Sequence, residues 1–324
     1  MFRAIKNPIL LACVFAAASS SQSGPAFRSG VELVVLPCTV VDASGVPVRD
    51  LTRDEFRVTD NGVRRIVENL WLDSDAPLTL GVIVDASESQ HEQLAEHRQT
   101  TLDLLDRILR PGDSIFVVSV NQDIRSWVDV TDSPSTLRKQ MAASPGELLG
   151  EPCPQHQVLP GVRLTSACGS SPLWNAIYEA ARLKLRPRTG NKALLILTDG
   201  FDSGSTRSWP QAVQEVQRAD ATVYAIQYRS KFGGSFAPDL YRLVEAAGGA
   251  CFRARLVEAA GGACFRAPDG AYGPIVSRIE TDLRRRYVLG FRPEKLSGKL
   301  RHDVQVEVTR PLLTVRARKT YFEQ

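Results

Sequence analysis

Short apolar runs alternate with amphipathic stretches through the middle of the chain, from about residue 76 to residue 286. An apolar run without polar alternation is typical of a strand buried on both faces of a parallel sheet, and apolar residues three and four apart indicate a helix. The pattern predicts strands at 80–84, 114–120, 125–130, 193–197 and 222–228, and helices at 90–109, 133–143, 171–185 and 210–218. Such alternation predicts a doubly wound, mostly parallel α/β sheet with helices on both faces.

Both ends of the chain instead alternate apolar and polar residues, which is typical of half-buried strands. The predicted strands are 31–41, 55–59 and 63–70 near the start, and 287–291, 303–308 and 313–322 near the end. Asp60-Asn61-Gly62 is a strong hairpin signal, because Asn and Gly tolerate positive φ. Neither end is long enough for a sheet domain of its own. We therefore predict that residues 23–75 and 287–324 form one β-sandwich, into which the α/β domain of residues 76–286 is inserted.

The first residues have the pattern of a secretory signal peptide, predicted at 1–22. Arg3 and Lys6 precede an apolar run at 9–18, and small residues follow it. That run is too short for a permanent membrane span, and no later stretch is apolar enough for an anchor. The sequence therefore predicts an exported protein, periplasmic, cell-surface or secreted, that has no integral membrane segment once the signal is cleaved.

Composition changes this picture little. The 324 residues are 43% hydrophobic and 23% charged, which is ordinary for a globular protein with a real core. The formal net charge of +4 is small, and the basic residues are scattered without stacking aromatics between them. The sequence thus gives no sign of nucleic-acid binding.

Five cysteines remain after the predicted leader is removed, in a setting that favours disulfides. Cys153 and Cys168 lie in a proline-rich loop at 144–170. A disulfide between them would close a loop of about 15 residues, which contributes roughly 3 kcal/mol in the chain-entropy model. The alternative is two free thiols. The sequence leaves the pairing of three more cysteines open: Cys38, Cys251 and Cys264.

A thirteen-residue segment, RLVEAAGGACFRA, occurs twice in tandem, at 242–254 and 255–267. One copy fits the α/β alternation as a helix end, a Gly-Gly stop and a strand. The other copy has no place in a regular alternation. We interpret it as a duplication tolerated as a surface extension.

Three oxygen-rich segments stand where the predicted strands end or a helix begins. The first predicted strand of the α/β domain is followed by Asp85, Ser87 and Ser89, and a later strand ends in Thr198-Asp199-Gly200. Between them, the loop Gly169-Ser170-Ser171-Pro172-Leu173 leads into a helix. In parallel sheets, ligands bind beyond the carboxyl ends of the strands. Oxygen ligands select a hard cation such as Mg²⁺, Mn²⁺ or Ca²⁺.

The order DxSxS, then G-x-[T/S]-x-L, then Asp-Gly resembles the metal ion-dependent adhesion site (MIDAS) of von Willebrand factor type A (VWA) domains. The segments GVPVRDLTRDEFRVTDNG, RRRYVLGFRP and VRARKTYF extend the resemblance to the exported bacterial proteins called VWFA-related. The resemblance implies five metal ligands: Asp85, Ser87, Ser89, Ser171 and Asp199. The family usually has threonine at the position of Ser171, and Ser170 is a local alternative.

The resemblance implies a non-enzymatic module for adhesion and protein–protein interaction, in which the cation accepts an Asp or Glu of a protein ligand. A metal-assisted hydrolase is an alternative, disfavoured because no histidine or lysine is evidently placed as a base. His91 and His97 are six residues apart, where a zinc-protease helix needs four, so we interpret them as solvated. A regulatory VWA subunit of a larger intracellular complex conflicts with the leader. The partner, the ion and the oligomeric state are not determined by the sequence.

Overall fold

The computed structural model describes residues 33–73, 76–142, 171–228, 230, 237–253, 265–266, 272–293 and 301–322. All of them belong to one compact unit, Leu33–Gln324. Its architecture is a mixed, mostly parallel sheet flanked by helices, together with two antiparallel sheets, so the predicted α/β class is confirmed. The predicted leader and the loop that contains Cys153 and Cys168 lie outside the described residues.

The central sheet has seven strands in the order β11-β10-β9-β8-β5-β6-β7. Every neighbouring pair is parallel except β6 and β7, which are antiparallel, so β7 is the edge strand that the sequence predicts. The strands are β5 (Leu78–Asp85), β6 (Ser114–Val120), β7 (Ile124–Thr131), β8 (Asn191–Thr198), β9 (Thr222–Gln227), β10 (Cys251–Arg253) and β11 (Phe265–Arg266).

Helices cover both faces of this sheet. They are α1 (Leu94–Ile108), α2 (Pro134–Ala142), α3 (Leu173–Glu179), α4 (Trp209–Arg218), α5 (Pro238–Ala246) and α6 (Tyr272–Arg284). Side chains of α1, α2 and α6 share one buried core with alternate residues of β5, including Val82 and Val84. The intervening Ile83 points into a second core with α3, α4 and α5. Burial on both faces explains why this strand is apolar throughout.

The two ends of the chain meet in a pair of four-stranded antiparallel sheets, ordered β14-β1-β12-β4 and β15-β13-β2-β3. Their strands are β1 (Val34–Val41), β2 (Phe56–Asp60), β3 (Val63–Arg65), β4 (Val67–Asp73), β12 (Arg286–Phe291), β13 (Arg301–Val308), β14 (Thr314–Ala317) and β15 (Thr320–Phe322). One core cluster joins both sheets, with Leu36, Phe56, Tyr287 and Val304 among its members. The predicted assembly of one sandwich from both termini is therefore confirmed.

Two predicted strands are each divided between the two sheets. The segment 63–70 contains β3 and β4, separated at Ile66, which is 83% exposed. The segment 313–322 contains β14 and β15, separated at Arg318 and Lys319. Alternation of side chains continues through such a crossing between sheets, so the sequence pattern predicts one strand where the chain makes two.

Two predicted helices begin later than expected. The segment 90–109 opens as a 3₁₀ helix, Glu88–Gln93, before α1 begins at Leu94. The helix predicted at 171–185 begins at Leu173, because Ser171 is engaged in a backbone bridge to Ser203, and its last part is the π-helical Ala180–Leu185. Both differences free residues next to the candidate site for contacts outside a helix.

A buried ion pair fixes the end of the sheet opposite to the candidate site. Arg284, the last residue of α6, pairs with Asp113, and both side chains are almost fully buried. Asp113 also accepts hydrogen bonds from the backbone N–H groups of Leu78 (2.7 Å) and Arg110 (2.7 Å). One carboxylate thus joins α6, the start of β5 and the turn after α1. Removing one partner of such a pair costs roughly 3–5 kcal/mol.

The duplicated segment is used differently in its two copies. The first copy supplies the end of α5, a turn through Gly248 and Gly249, and β10. The second copy supplies β11, which pairs in parallel with β10 so that equivalent residues stand opposite each other, Phe252 with Phe265. The expectation that the second copy has no place in the alternation is therefore wrong for this strand, which extends the sheet by one.

Two cysteines lie among the described residues. Cys38 is a free, buried thiol, and burial raises its pKa to about 12. Cys251 is disulfide-bonded.

Deleting thirteen residues from the tandem gives the same protein whichever copy is removed, because the copies are identical. In reducing buffer, where the disulfide of Cys251 does not contribute, we expect this variant to fold and to lose at most a few degrees in melting temperature, since β11 adds only two residue pairs at the sheet edge. Thermal unfolding followed by circular dichroism measures the change. The comparison is Gly249→Ala, whose added Cβ would lie 1.7 Å from the carbonyl oxygen of Val223 and should destabilise more. A deletion variant without cooperative unfolding would contradict the prediction.

Candidate metal-binding site

The two candidate carboxylates follow neighbouring parallel strands. Asp85 is the last residue of β5, and Asp199 follows the last residue of β8. The register pairs Val84 with Leu197, so both strands end at the same edge of the sheet. Both residues are buried, with 0% and 2% of their surface exposed. The fold therefore brings two acidic side chains into one water-poor region.

The turn after Asp85 gathers the two predicted hydroxyls beside it. The backbone N–H of Ser87 donates to Asp85 Oδ1 at 3.0 Å, and the hydroxyls of Ser87 and Ser89 are hydrogen-bonded to each other at 3.0 Å. The N–H of Gln90 donates to the carbonyl of Ser87 at 2.9 Å, which closes the turn. Spacing of two residues thus turns both serine hydroxyls toward the same place.

Ser171 contributes the third serine hydroxyl of the candidate site, beside those of Ser87 and Ser89. Its Oγ donates to Asp85 Oδ1 at 3.5 Å, a long contact. Its backbone is held by Ser203, with N–H to carbonyl distances of 2.8 and 2.9 Å in the two directions. Asp202 accepts a hydrogen bond from the N–H of Trp174 (3.0 Å) at the start of α3. The loop after Asp199 therefore positions Ser171. The alternative ligand, Ser170, lies outside the described residues.

Asp199 is linked to the other residues through a glutamine. Its Oδ2 accepts a hydrogen bond from Gln90 Nε2 at 3.1 Å, and its Oδ1 accepts one from the N–H of Phe201 at 3.1 Å. Gly200 has φ +86°, and an added Cβ there would lie 2.4 Å from Ala237, so glycine is needed for this turn. The sharp turn keeps Asp199 at the sheet edge.

Two site residues are absent from the sequence prediction, Thr198 and Gln90. Thr198 Oγ1 donates to Asp85 Oδ2 at 2.5 Å and accepts a hydrogen bond from the N–H of Gly200 at 2.9 Å. Both side chains are fully buried. The available signal was a polar residue directly beside each motif: Thr198 ends an apolar strand, and Gln90 follows the second serine.

His97 is not solvated, contrary to the sequence interpretation. It is fully buried, and its ring lies edge-on to that of Tyr228, with 4.2 Å between the centroids. Burial lowers the pKa of His97 to about 3. The imidazole is therefore neutral at physiological pH, and it supplies no positive charge to the candidate site.

The electrostatics of the site favour a cation. Burial, together with the negative charge of Asp199, raises the pKa of Asp85 to about 6. Throughout the described part of the chain, neither carboxylate forms an ion pair with a lysine, arginine or histidine. Two carboxylates and three hydroxyls are oxygen donors that suit a hard divalent ion. Within the same residues, no group of three or more His, Cys, Asp or Glu side chains offers a different kind of metal site.

No family model matches this chain, and a search of characterised proteins gives no match. In motif order and in fold the chain resembles von Willebrand factor type A domains. Among solved structures, a von Willebrand factor type A protein from Catenulispora acidiphila is 12% identical, with 91% of this chain and 75% of that chain covered and a TM-score of 0.47.

Two further solved structures are similar to the chain. Proximal thread matrix protein 1 from the mussel byssus, with a zinc occupied MIDAS motif, is 16% identical over 69% of this chain, with a TM-score of 0.46. The chain covers 49% of that protein, about half of its length. BatB from Bacteroides thetaiotaomicron is 14% identical, with 63% of this chain and 98% of that chain covered and a TM-score of 0.41. These likenesses concern the fold.

The raised pKa of Asp85 predicts a pH-dependent cost in the metal-free protein. The folded state holds the proton up to about pH 6, whereas the unfolded state releases it near pH 3.8. Stability from this group is therefore present below pH 3.8 and lost as pH rises through 6. Asp85→Asn has no proton to lose at this position. In chelator, we therefore expect the unfolding free energy of the variant minus that of the wild type to be larger at pH 7.5 than at pH 4 by roughly 2–3 kcal/mol. Urea unfolding at both pH values measures the difference, and a constant difference would contradict the assignment.

Proposed function

We propose that this chain is an exported, metal ion-dependent protein-binding module, in which a divalent cation at the candidate site accepts an Asp or Glu side chain of a partner. The observation that carries the proposal is the buried pair Asp85 and Asp199, which has no cationic partner in the described residues. Burying like charges together is costly unless an opposite charge compensates them. A divalent cation would remove that cost.

The candidate donors would hold the ion and still leave it able to accept a further oxygen ligand, because most of them are neutral. Asp85 and Asp199 supply the negative charge, and Ser87, Ser89 and Ser171 add neutral oxygens. When bound, Mg²⁺, or alternatively Mn²⁺ or Ca²⁺, would supply a coordination position open to an additional oxygen ligand. The serine hydroxyls and the two carboxylates would hold the ion at this edge of the sheet, where a partner carboxylate could approach.

Phe201 offers an apolar contact next to that approach. It follows Asp199 by two residues and is 44% exposed, which is high for a phenylalanine. Its backbone N–H donates to Asp199 Oδ1, so its position is tied to the site. We propose that a partner packs against this ring while its carboxylate meets the ion.

A binding role is favoured over catalysis by the surroundings of Asp85. Hydrolysis by a metal-activated water usually needs a base that takes up a proton near the site. The nearby imidazole of His97 is sealed from solvent, and burial lowers its pKa to about 3, so it is a poor proton acceptor. A metal-assisted hydrolase remains the second hypothesis, and activity on a panel of phosphoester and peptide substrates would favour it.

Export is proposed from the leader pattern at 1–22, which lies outside the described residues. In the described part of the chain, no helix is long and apolar enough to cross a membrane.

Metal binding is tested by the shift in melting temperature between Mg²⁺ or Mn²⁺ and chelator. We expect the wild type to be stabilised by the ion, because an ion that binds only the folded state raises its stability. Asp85→Ala and Ser87→Ala should lose most of the shift. The matched control is Ser114→Ala, which removes a strand hydroxyl at the opposite end of the sheet, bonded to Thr79. A wild type without any shift would overturn the proposal.

Partner binding is tested by pulldown from whole cells and cell surfaces in Mg²⁺ and in chelator. We expect proteins that are retained by the wild type in Mg²⁺ and lost both in chelator and with Asp85→Ala. Titration of one retained protein with its surface Asp and Glu residues replaced would then locate the carboxylate. Recovery of the same proteins under all conditions would contradict a metal-bridged contact.

A further inference from the structure

We propose that Thr198 and Gln90 are positioning residues that orient the two carboxylates reciprocally, and that this cross-brace sets the affinity of the site for a divalent cation. The inference rests on the proposed function. Each brace comes from the segment that carries the other carboxylate: Thr198 precedes Asp199 and holds Asp85, and Gln90 follows the turn of Asp85 and holds Asp199.

The hydrogen bonds of Thr198 leave its hydroxyl one way to point. A hydroxyl has a single proton to donate. Because Oγ1 accepts the N–H of Gly200 at 2.9 Å, its own proton is directed to Asp85 Oδ2 at 2.5 Å. The backbone of Thr198 is fixed as well, since its carbonyl accepts the N–H of Tyr228 at 2.8 Å. The hydroxyl thus holds one oxygen of Asp85 and turns the other, Oδ1, toward Ser87 and Ser171.

The amide of Gln90 is directed in the same manner. Its Nε2 carries two protons, and these are donated to the carbonyl of Ser89 at 3.2 Å and to Asp199 Oδ2 at 3.1 Å. The side chain is fully buried, so water does not compete for these bonds. Gln90 therefore links the serine turn directly to the second carboxylate.

Both braces are neutral, and this decides what they do. A lysine or arginine in either place would orient a carboxylate but would also cancel its charge and repel a cation. A hydroxyl and an amide orient Asp85 and Asp199 and leave their negative charge available. Groups that orient metal ligands from behind typically change metal affinity by about 10- to 100-fold when they are removed.

The experiment measures Mn²⁺ and Mg²⁺ affinity by isothermal titration calorimetry on the full chain. We expect Thr198→Val and Gln90→Met, which keep side-chain size, each to weaken binding by roughly 10- to 100-fold. Thr198→Ser keeps the hydroxyl and should bind nearly as the wild type does. The matched controls are Thr79→Val, a buried threonine at the other end of β5, and Gln217→Met, a buried glutamine that donates to the carbonyl of Ala246. Both should leave metal affinity unchanged.

A second measurement distinguishes an effect on metal binding from a general loss of stability, because each variant is compared with itself in the presence and absence of metal. The melting temperature of every variant is measured in chelator and in Mn²⁺, and the brace predicts a smaller metal-induced rise for Thr198→Val than for Thr79→Val, whatever their stability in chelator. If Thr198→Val does not fold, Thr198→Ala with Thr198→Ser as its rescue replaces it. Wild-type metal affinity in both Thr198→Val and Gln90→Met overturns the brace and leaves the metal site intact. If the wild type binds neither Mn²⁺ nor Mg²⁺, both the brace and the proposed metal site are overturned.

Discussion

Burial of two acidic side chains at the ends of neighbouring parallel strands is the constraint on which the site depends. Parallel pairing of β5 with β8 brings Asp85 and Asp199 to one edge, and helices on both faces keep water away from it. In a buried region each negative charge raises the energy of the other. The protein orients the pair with neutral donors, and charged side chains are placed elsewhere. The same pair of carboxylates therefore lowers the stability of the metal-free fold and favours the binding of a cation.

Three arginines instead contact oxygen acceptors at the far end of the central sheet and at its junction with the sandwich. Arg284 is paired with Asp113 there, and Arg316 is paired with Asp282, which is 1% exposed in its side chain. Arg286 donates to Asn191 at the start of β8. Arg286 and Arg316 both belong to sandwich strands, so their contacts join the sandwich to β8 and α6, and the two parts form one compact unit. In the described part of the chain, arginines therefore crosslink the base of the sheet, whereas Asp85 and Asp199 form no ion pair at the other end.

The sequence predicted most of the elements and the carboxylate pair, because both follow from local patterns. Apolar runs identify strands that are buried on both faces, and a motif with fixed spacing identifies residues on one turn. Crossings between the sandwich sheets were missed, since the alternation at 63–70 and at 313–322 continues through the bend. His97 was misjudged because its burial arises from packing on Tyr228, more than one hundred positions away in the chain. Thr198 and Gln90 were missed because their hydrogen bonds join segments that are more than one hundred positions apart in the sequence.

The sandwich has one further property, which follows from the pairing of β4 with β12. The chain leaves the sandwich after Asp73 and returns to it at Arg286, and these two residues are direct partners across antiparallel strands. Partners of this kind have Cα atoms only about 5 Å apart, a gap that a short hairpin turn can span. The two connections between the sandwich and the inserted α/β part therefore lie side by side on neighbouring strands of the sandwich. The inserted α/β part could therefore be exchanged for another module, by evolution or by engineering, with the pairing of every sandwich strand preserved.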